Sequence, residues 1–136
     1  MTKIFLSHSS KDKITFVNYV YKNLCKLFGE ARVVIDQFSF EEGRRTAEEI
    51  ASFIEQSDLI VLLISESALS SEWVQKEYEL AYSLFNSKNC QICPIIIDND
   101  IKYSDSRIPN WLKEEFNIQC IISTRKTSDI IAGRMY

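Results

Sequence analysis

Glycine is scarce in this chain: Gly29, Gly43 and Gly133 are the only three in 136 residues. They are too few and too scattered for a GxGxxG dinucleotide loop or a GxxxxGKS phosphate loop, both of which need clustered glycines to bring backbone amides against phosphate. Histidine is scarcer still. His8 stands alone, which leaves too few ligands for zinc even though Cys90 and Cys93 form a CxxC, and that pair opens an apolar strand rather than a helix. An excess of one charge is lacking too. The 16 basic residues face 19 acidic ones, net -3, which gives no field for phosphodiester chains or anionic lipid, so no direct nucleic-acid or membrane partner is expected. The longest apolar run, Leu59–Ile64, is too short to cross a bilayer, and residues 1–10 do not contain the apolar stretch of a signal peptide. These absences describe a cytoplasmic protein whose four cysteines, Cys25, Cys90, Cys93 and Cys120, stay reduced as buried structural thiols.

What is present is a single-domain composition, 46% hydrophobic and 26% charged, with enough apolar material for one core. Short β-branched runs alternate with longer amphipathic ones, without repeats or low-complexity segments. The runs "KIFLS" (3–7), "RVVID" (32–36), "DLIVLLIS" (58–65), "QICPIIID" (91–98) and "IQCIIS" (118–123) read as strands. Residues 11–28 carry Ile14, Val17, Val20, Tyr21, Leu24 and Leu27 at helical spacing and end at Gly29. Residues 44–57 carry Ala47, Ile50, Phe53 and Ile54 on one stripe, residues 70–85 form a third helix, and a last one begins at 127. The segment containing "RIPNWL" reads as irregular and polar.

The third strand is apolar at every position, as a strand covered on both faces must be. The expected fold is therefore α/β: a flavodoxin-like, doubly wound, five-stranded parallel sheet of order 2-1-3-4-5 flanked by helices. Ligands bind such sheets where the winding reverses, between strands one and three. The loops at that point are "SHSSKD" (7–12) and "SESALSSEW" (65–73).

Within "SSEWVQKEYELAYSLF" (70–85), about 100° per residue puts Trp73, Val74, Tyr78, Leu80, Ala81, Leu84 and Phe85 on one face and Gln75, Lys76, Glu79 and Ser83 on the other. Glu77 falls in the middle of the apolar face. Either it is functional, or it reaches the helix edge beside Lys76 or Lys11. In the first loop, the hydroxyls of Ser7, Ser9 and Ser10, the neighbouring Lys11 and the amides of a helix start can hold an anion such as a diphosphate. The same residues can be a helix cap, with Ser9 and Asp12 at capping-box spacing. His8 can stack on a ligand or be structural, and Trp73 can be core, ligand contact or both.

Three blocks resemble the Toll/interleukin-1 receptor (TIR) domain family in order and separation, across about 130 of the 136 residues. "KIFLSHSSKDK" is similar to the family's first box, "VVIDQFSFEEG" to the strand and loop of its second, and "SEWVQKE" to the SxWxxxE helix motif of its NAD-cleaving members. The resemblance implies that Glu77 is the catalytic glutamate and Trp73 its companion tryptophan, with Ser7, His8, Ser9 and Ser10 near the nucleotide. Asp36, Phe40, Glu41 and Gly43 would belong to a loop that closes over substrate and mediates self-association. "DQFSFEEGRR" lacks the Arg-Asp and Pro-Gly of animal receptor and adaptor domains, which favours the enzymatic branch. Val74 stands where many members have cysteine.

The implied protein is an NAD+ nucleosidase or ADP-ribosyl cyclase that works without cofactor or metal, with NAD+ as substrate. Self-association with other TIR domains would activate it, in antiviral defence or signalling. Residues 1–136 would be the amino-terminal TIR domain of a longer protein. One carboxylate suffices for such chemistry. Ordinary glycosidases need a second carboxyl to protonate a poor leaving group, whereas the nicotinamide of NAD+ is already cationic and departs neutral, leaving an oxocarbenium-like ribose that a nearby negative charge stabilises. The alternative is a non-catalytic module that recruits other TIR domains through the same loop. A phosphoacceptor receiver domain shares the fold class but needs clustered aspartates after the first strand, and "FLSHSS" has none.

Overall fold

The computed structural model describes residues 3–35, 47–87 and 90–134. Strands β1 (Ile4–Ser7), β2 (Val33–Ile35), β3 (Leu59–Ile64), β4 (Gln91–Ile96) and β5 (Gln119–Cys120) form one sheet of order β2-β1-β3-β4-β5. Every pairing is parallel, as the unbroken apolar runs predict.

Side chains alternate along each strand and so feed two separate cores. Ile60, Leu62 and Ile64 of β3 join Phe5 of β1 on one face, under helices α2 (Ala47–Glu55) and α4 (Glu72–Ser87). Leu59, Val61 and Leu63 join Ile4 and Leu6 on the other face, under α1 (Asn18–Phe28) and α6 (Thr124–Gly133). All six residues of β3 are buried, which makes it the middle of the molecule in both senses. Among the described residues no helix is long and apolar enough to cross a membrane.

The observed elements depart from the sequence expectations at several points. The first helical stretch opens with a 3-10 turn (Ser10–Asp12) and a π turn (Lys13–Val17) before α1 begins. A π turn winds more residues per turn than an α-helix, so a stripe drawn at a constant 100° drifts out of phase. Ile14 is consequently 80% exposed, while Phe16 is buried in the stripe with Val17, Val20 and Leu24; Leu27, in phase with that stripe but in the last turn of α1, is 58% exposed. Gly29 does end α1, at φ 90°, with its N–H donating to Cys25 O. On α2, Ile54 is buried and Phe53 packs against it; the side chains of Ala47 and Ile50 lie outside the described set.

Two short helices were not expected. Helix α3 (Glu66–Leu69) occupies the loop after β3, started by Ser65, whose hydroxyl accepts from Ala68 N. Helix α5 (Asn110–Glu115) lies within the segment read as irregular, and Leu112 anchors it in the core. A helix of one or two turns shows too few periods to be seen in sequence. Strand β5 is two residues long rather than six, an edge strand beyond which Ile122 is half exposed. The cysteines are bridged by no disulfide; Cys90 and Cys93 are buried, but Cys25 is only half-buried and Cys120, on the edge strand, is exposed.

Candidate active site

Because side chains alternate, Ser7 projects to the same face as Phe5, the face covered by α4. It is also the last residue of β1, where it pairs with Leu62 of β3. On α4, one turn beyond Trp73, Glu77 arrives from the other side. Ser7 Oγ donates to Glu77 Oε1 at 2.8 Å, joining residues 70 apart in sequence. Ser7 is fully buried and Glu77 is 3% exposed, among the buried Val74, Tyr78 and Ala81. The carboxylate therefore does not reach the helix edge, and Lys76 is exposed on the far side. Trp73 is half-buried and packs against the core of this face.

In the first loop, His8 is 7% exposed and its Nδ1 lies 2.9 Å from Leu6 O. A carbonyl can only accept, so Nδ1 carries the proton, and in the neutral ring Nε2 is the acceptor. Ser9 is buried as a cap: its hydroxyl accepts from Lys11 N at 3.3 Å. Ser10 is exposed. The expected capping box does not close, because the Asp12 carboxylate accepts from Ser65 Oγ at 2.5 Å instead. That bond ties the loop after β1 to the end of β3 across the point where the sheet changes its direction of winding. Asp98, just beyond β4, adds a further carboxylate to this rim by accepting from Glu66 N at 3.0 Å.

Three carboxyl groups thus gather at the carboxyl end of the sheet, Glu77 buried and Asp12 and Asp98 half-buried. Burial raises the Asp12 carboxyl above its ordinary value, the Ser65 bond pulls the other way, and the charge of Asp98 adds to the rise. Burial likewise pushes the Tyr78 phenol far up, reinforced by the charges of Glu77 and Asp12. The Tyr78 hydroxyl is buried, with no hydrogen-bond partner among the described residues. Such surroundings suit a cationic group better than an anion.

Of the residues singled out in sequence, Ser7 and Glu77 are brought into contact, His8 and Ser9 sit beside them in the first loop, and Trp73 lies one helical turn away. Asp36, Phe40, Glu41 and Gly43 lie outside the described residues. Asp12 and Ser65 lie in the two loops expected to flank the crevice but were given no role of their own there, and Tyr78 was read only as part of the apolar face of its helix. A hydroxyl at the end of each of two apolar strands, Ser7 and Ser65, is the signal that could have found Ser65. A depression of about 350 Å³ beside the α3–α4 turn, lined by Gln75, Lys76 and Glu79 among others, belongs to the outer face of α4 and not to this crevice.

A family model described as TIR domain matches residues 4–125. A protein from Methanobrevibacter olleyae named "Probable 2' cyclic ADP-D-ribose synthase TcpO" is 32% identical over 109 residues, 78% of this chain. The chain spans only 31% of that relative's length. Among solved structures, the TIR domains of the activated Roq1 resistosome superpose with a TM-score of 0.78 at 15% identity, covering 100% of both chains. The TIR domain of the Toll-related receptor TRR-2 from Hydra magnipapillata gives 0.59 at 17% identity, over 98% of this chain and 94% of that one. These two likenesses speak for the fold. The sheet order, the three sequence blocks and the family match agree, and the chain belongs to the TIR domain family.

Proposed function

We propose that this chain cleaves the nicotinamide–ribose bond of NAD+, releasing nicotinamide and leaving ADP-ribose or a cyclic isomer of it. The observation that carries this reading is the Glu77 carboxylate, 3% exposed in an apolar setting and fixed at the carboxyl edge of the sheet by Ser7. The name of the Methanobrevibacter olleyae relative supports the NAD+-cleaving branch, and favours the cyclic product.

In this reading the C–N bond breaks with its electron pair going to the pyridine nitrogen, so nicotinamide leaves neutral and unprotonated. Glu77 stabilises the positive charge that remains on the ribose. Water, or a hydroxyl of the nucleotide itself, then bonds to the anomeric carbon and gives up its proton to solvent. Trp73 offers an aromatic face to the cationic ring, and His8, Ser9, Ser10 and the segment with Asp36, Phe40 and Gly43 hold the rest of the substrate. Self-association with other TIR domains switches the enzyme on by holding that segment closed, in the cytoplasm and in the service of antiviral defence.

The test is nicotinamide release from NAD+ at protein concentrations or tether densities that force assembly, with Glu77→Ala beside the wild type. Release by the wild type and none by the variant is the expected result. A wild type that stays inert when assembled, or a variant equally active, would leave the non-catalytic interaction module as the function.

A further inference from the structure

Ser7 stands among residues expected to touch substrate, yet it is 0% exposed and its hydroxyl is directed at Glu77 Oε1, 2.8 Å away. We propose that Ser7 is a positioning residue that acts through Glu77, holding the carboxylate charged and in one orientation, and that it makes no contact with NAD+. This inference rests on the NAD+-cleaving function proposed above.

Glu77 sits on a helix face shared with Val74, Tyr78 and Ala81. A carboxylate among such groups is driven either to take up a proton or to turn out towards water. A donor on the anion opposes both. Ser7 is suited to supply it, because its backbone is fixed by pairing with Leu62 in the middle of the sheet and its small side chain leaves little rotational freedom. The bond therefore sets the carboxylate relative to the sheet rather than to its own helix. The residue before the loop thus orders the catalytic group, and the nucleotide contacts proposed above fall to the loop itself, His8 to Ser10.

Steady-state nicotinamide release across pH, with Tm, separates the possibilities for the wild type, Ser7→Ala and Ser7→Cys. For Ser7→Ala, kcat is expected to fall by about tenfold or more, the scale of one hydrogen bond to a charged group, with KM for NAD+ little changed. The acidic limb of its pH profile should also move to higher pH, since the anion has lost a donor that favours it. Ser7→Cys keeps nearly the volume and only a weak donor, and should shift both readings in the same direction even if the alanine void lowers Tm. Wild-type kcat with an unmoved acidic limb overturns the inference, and so does a rise in KM at constant kcat, which would make Ser7 a substrate contact. An inert wild type overturns this inference together with the NAD+ reading; an active wild type with unaffected Ser7 variants overturns this one alone.

Discussion

Glu77 and Asp12 are two carboxylates in one crevice with different surroundings, and each leads to its own test. Removing Glu77 takes a charged group out of an apolar face, so Glu77→Ala should hold or raise Tm while abolishing nicotinamide release; a large fall in Tm would mark the residue as structural. Asp12 is held by Ser65, yet burial raises its carboxyl from the ordinary 3.8. A raised value means that the folded state binds the proton more tightly than the unfolded chain does. The associated stability is therefore fully present below about 3.8 and is lost as pH rises through the higher folded value. Asp12→Asn keeps an acceptor for Ser65 but cannot titrate. Urea unfolding at a series of pH values should show the wild type losing stability relative to the variant as pH rises through and above the usual carboxylate range; an unchanging difference would refute this. The place of Glu77 was legible because a carboxylate breaks an otherwise apolar helical stripe. The partner of Asp12 was not: the fold class puts the loops 7–12 and 65–73 side by side, but Ser65 is 53 residues away and which side chains meet there depends on loop conformation that has no sequence period.

Elements were legible in proportion to the number of periods they contain. The sixteen residues of α4 carry more than four turns of pattern and were placed within two residues at each end. The six of α5 and four of α3 carry almost none, and both escaped notice. Helix α1 shows a different failure: its stripe was visible, but the π turn ahead of it displaced the phase and turned Ile14 outward. Its stop signal was correct for a backbone reason. Gly29 adopts φ 90°, ψ 151°, a region essentially closed to residues with a Cβ. Apart from Gly29 itself and its two chain neighbours, no heavy atom of the described residues lies within 4 Å of where a Cβ would stand, so the cost of Gly29→Ala is backbone strain. A loss of about 1–3 kcal/mol in chemical denaturation is expected; an unchanged midpoint would show that the turn relaxes at no cost.

For the whole molecule, the parallel sheet followed from two facts of the sequence: strands without polar alternation, and helix-length segments between them. Together these imply parallel strands joined by right-handed crossovers with both faces covered, and the flavodoxin-like order expected of such a chain, which the structure has, puts the winding reversal between β1 and β3. The crevice could thus be located before its walls were known. The length of β5 was beyond reach, since edge pairing depends on how far β4 extends beside it.

The hydrogen bond between Ser7 and Glu77 spans a join in the chain as well as in the fold. The connection Gln56–Asp58 separates a piece that carries β1 and β2 from one that carries β3 and all of α4. Neither piece alone holds both the serine and the carboxylate, and the seam between them, the β1–β3 pairing with α1 against α6 and α2 against α4, must close for the two side chains to meet. Cut there, the protein becomes a two-piece switch. Under the NAD+-cleaving function proposed above, each fragment should be silent, and mixing them, or fusing them to partners that bind one another, should restore nicotinamide release, so that turnover of NAD+ would report an association event elsewhere.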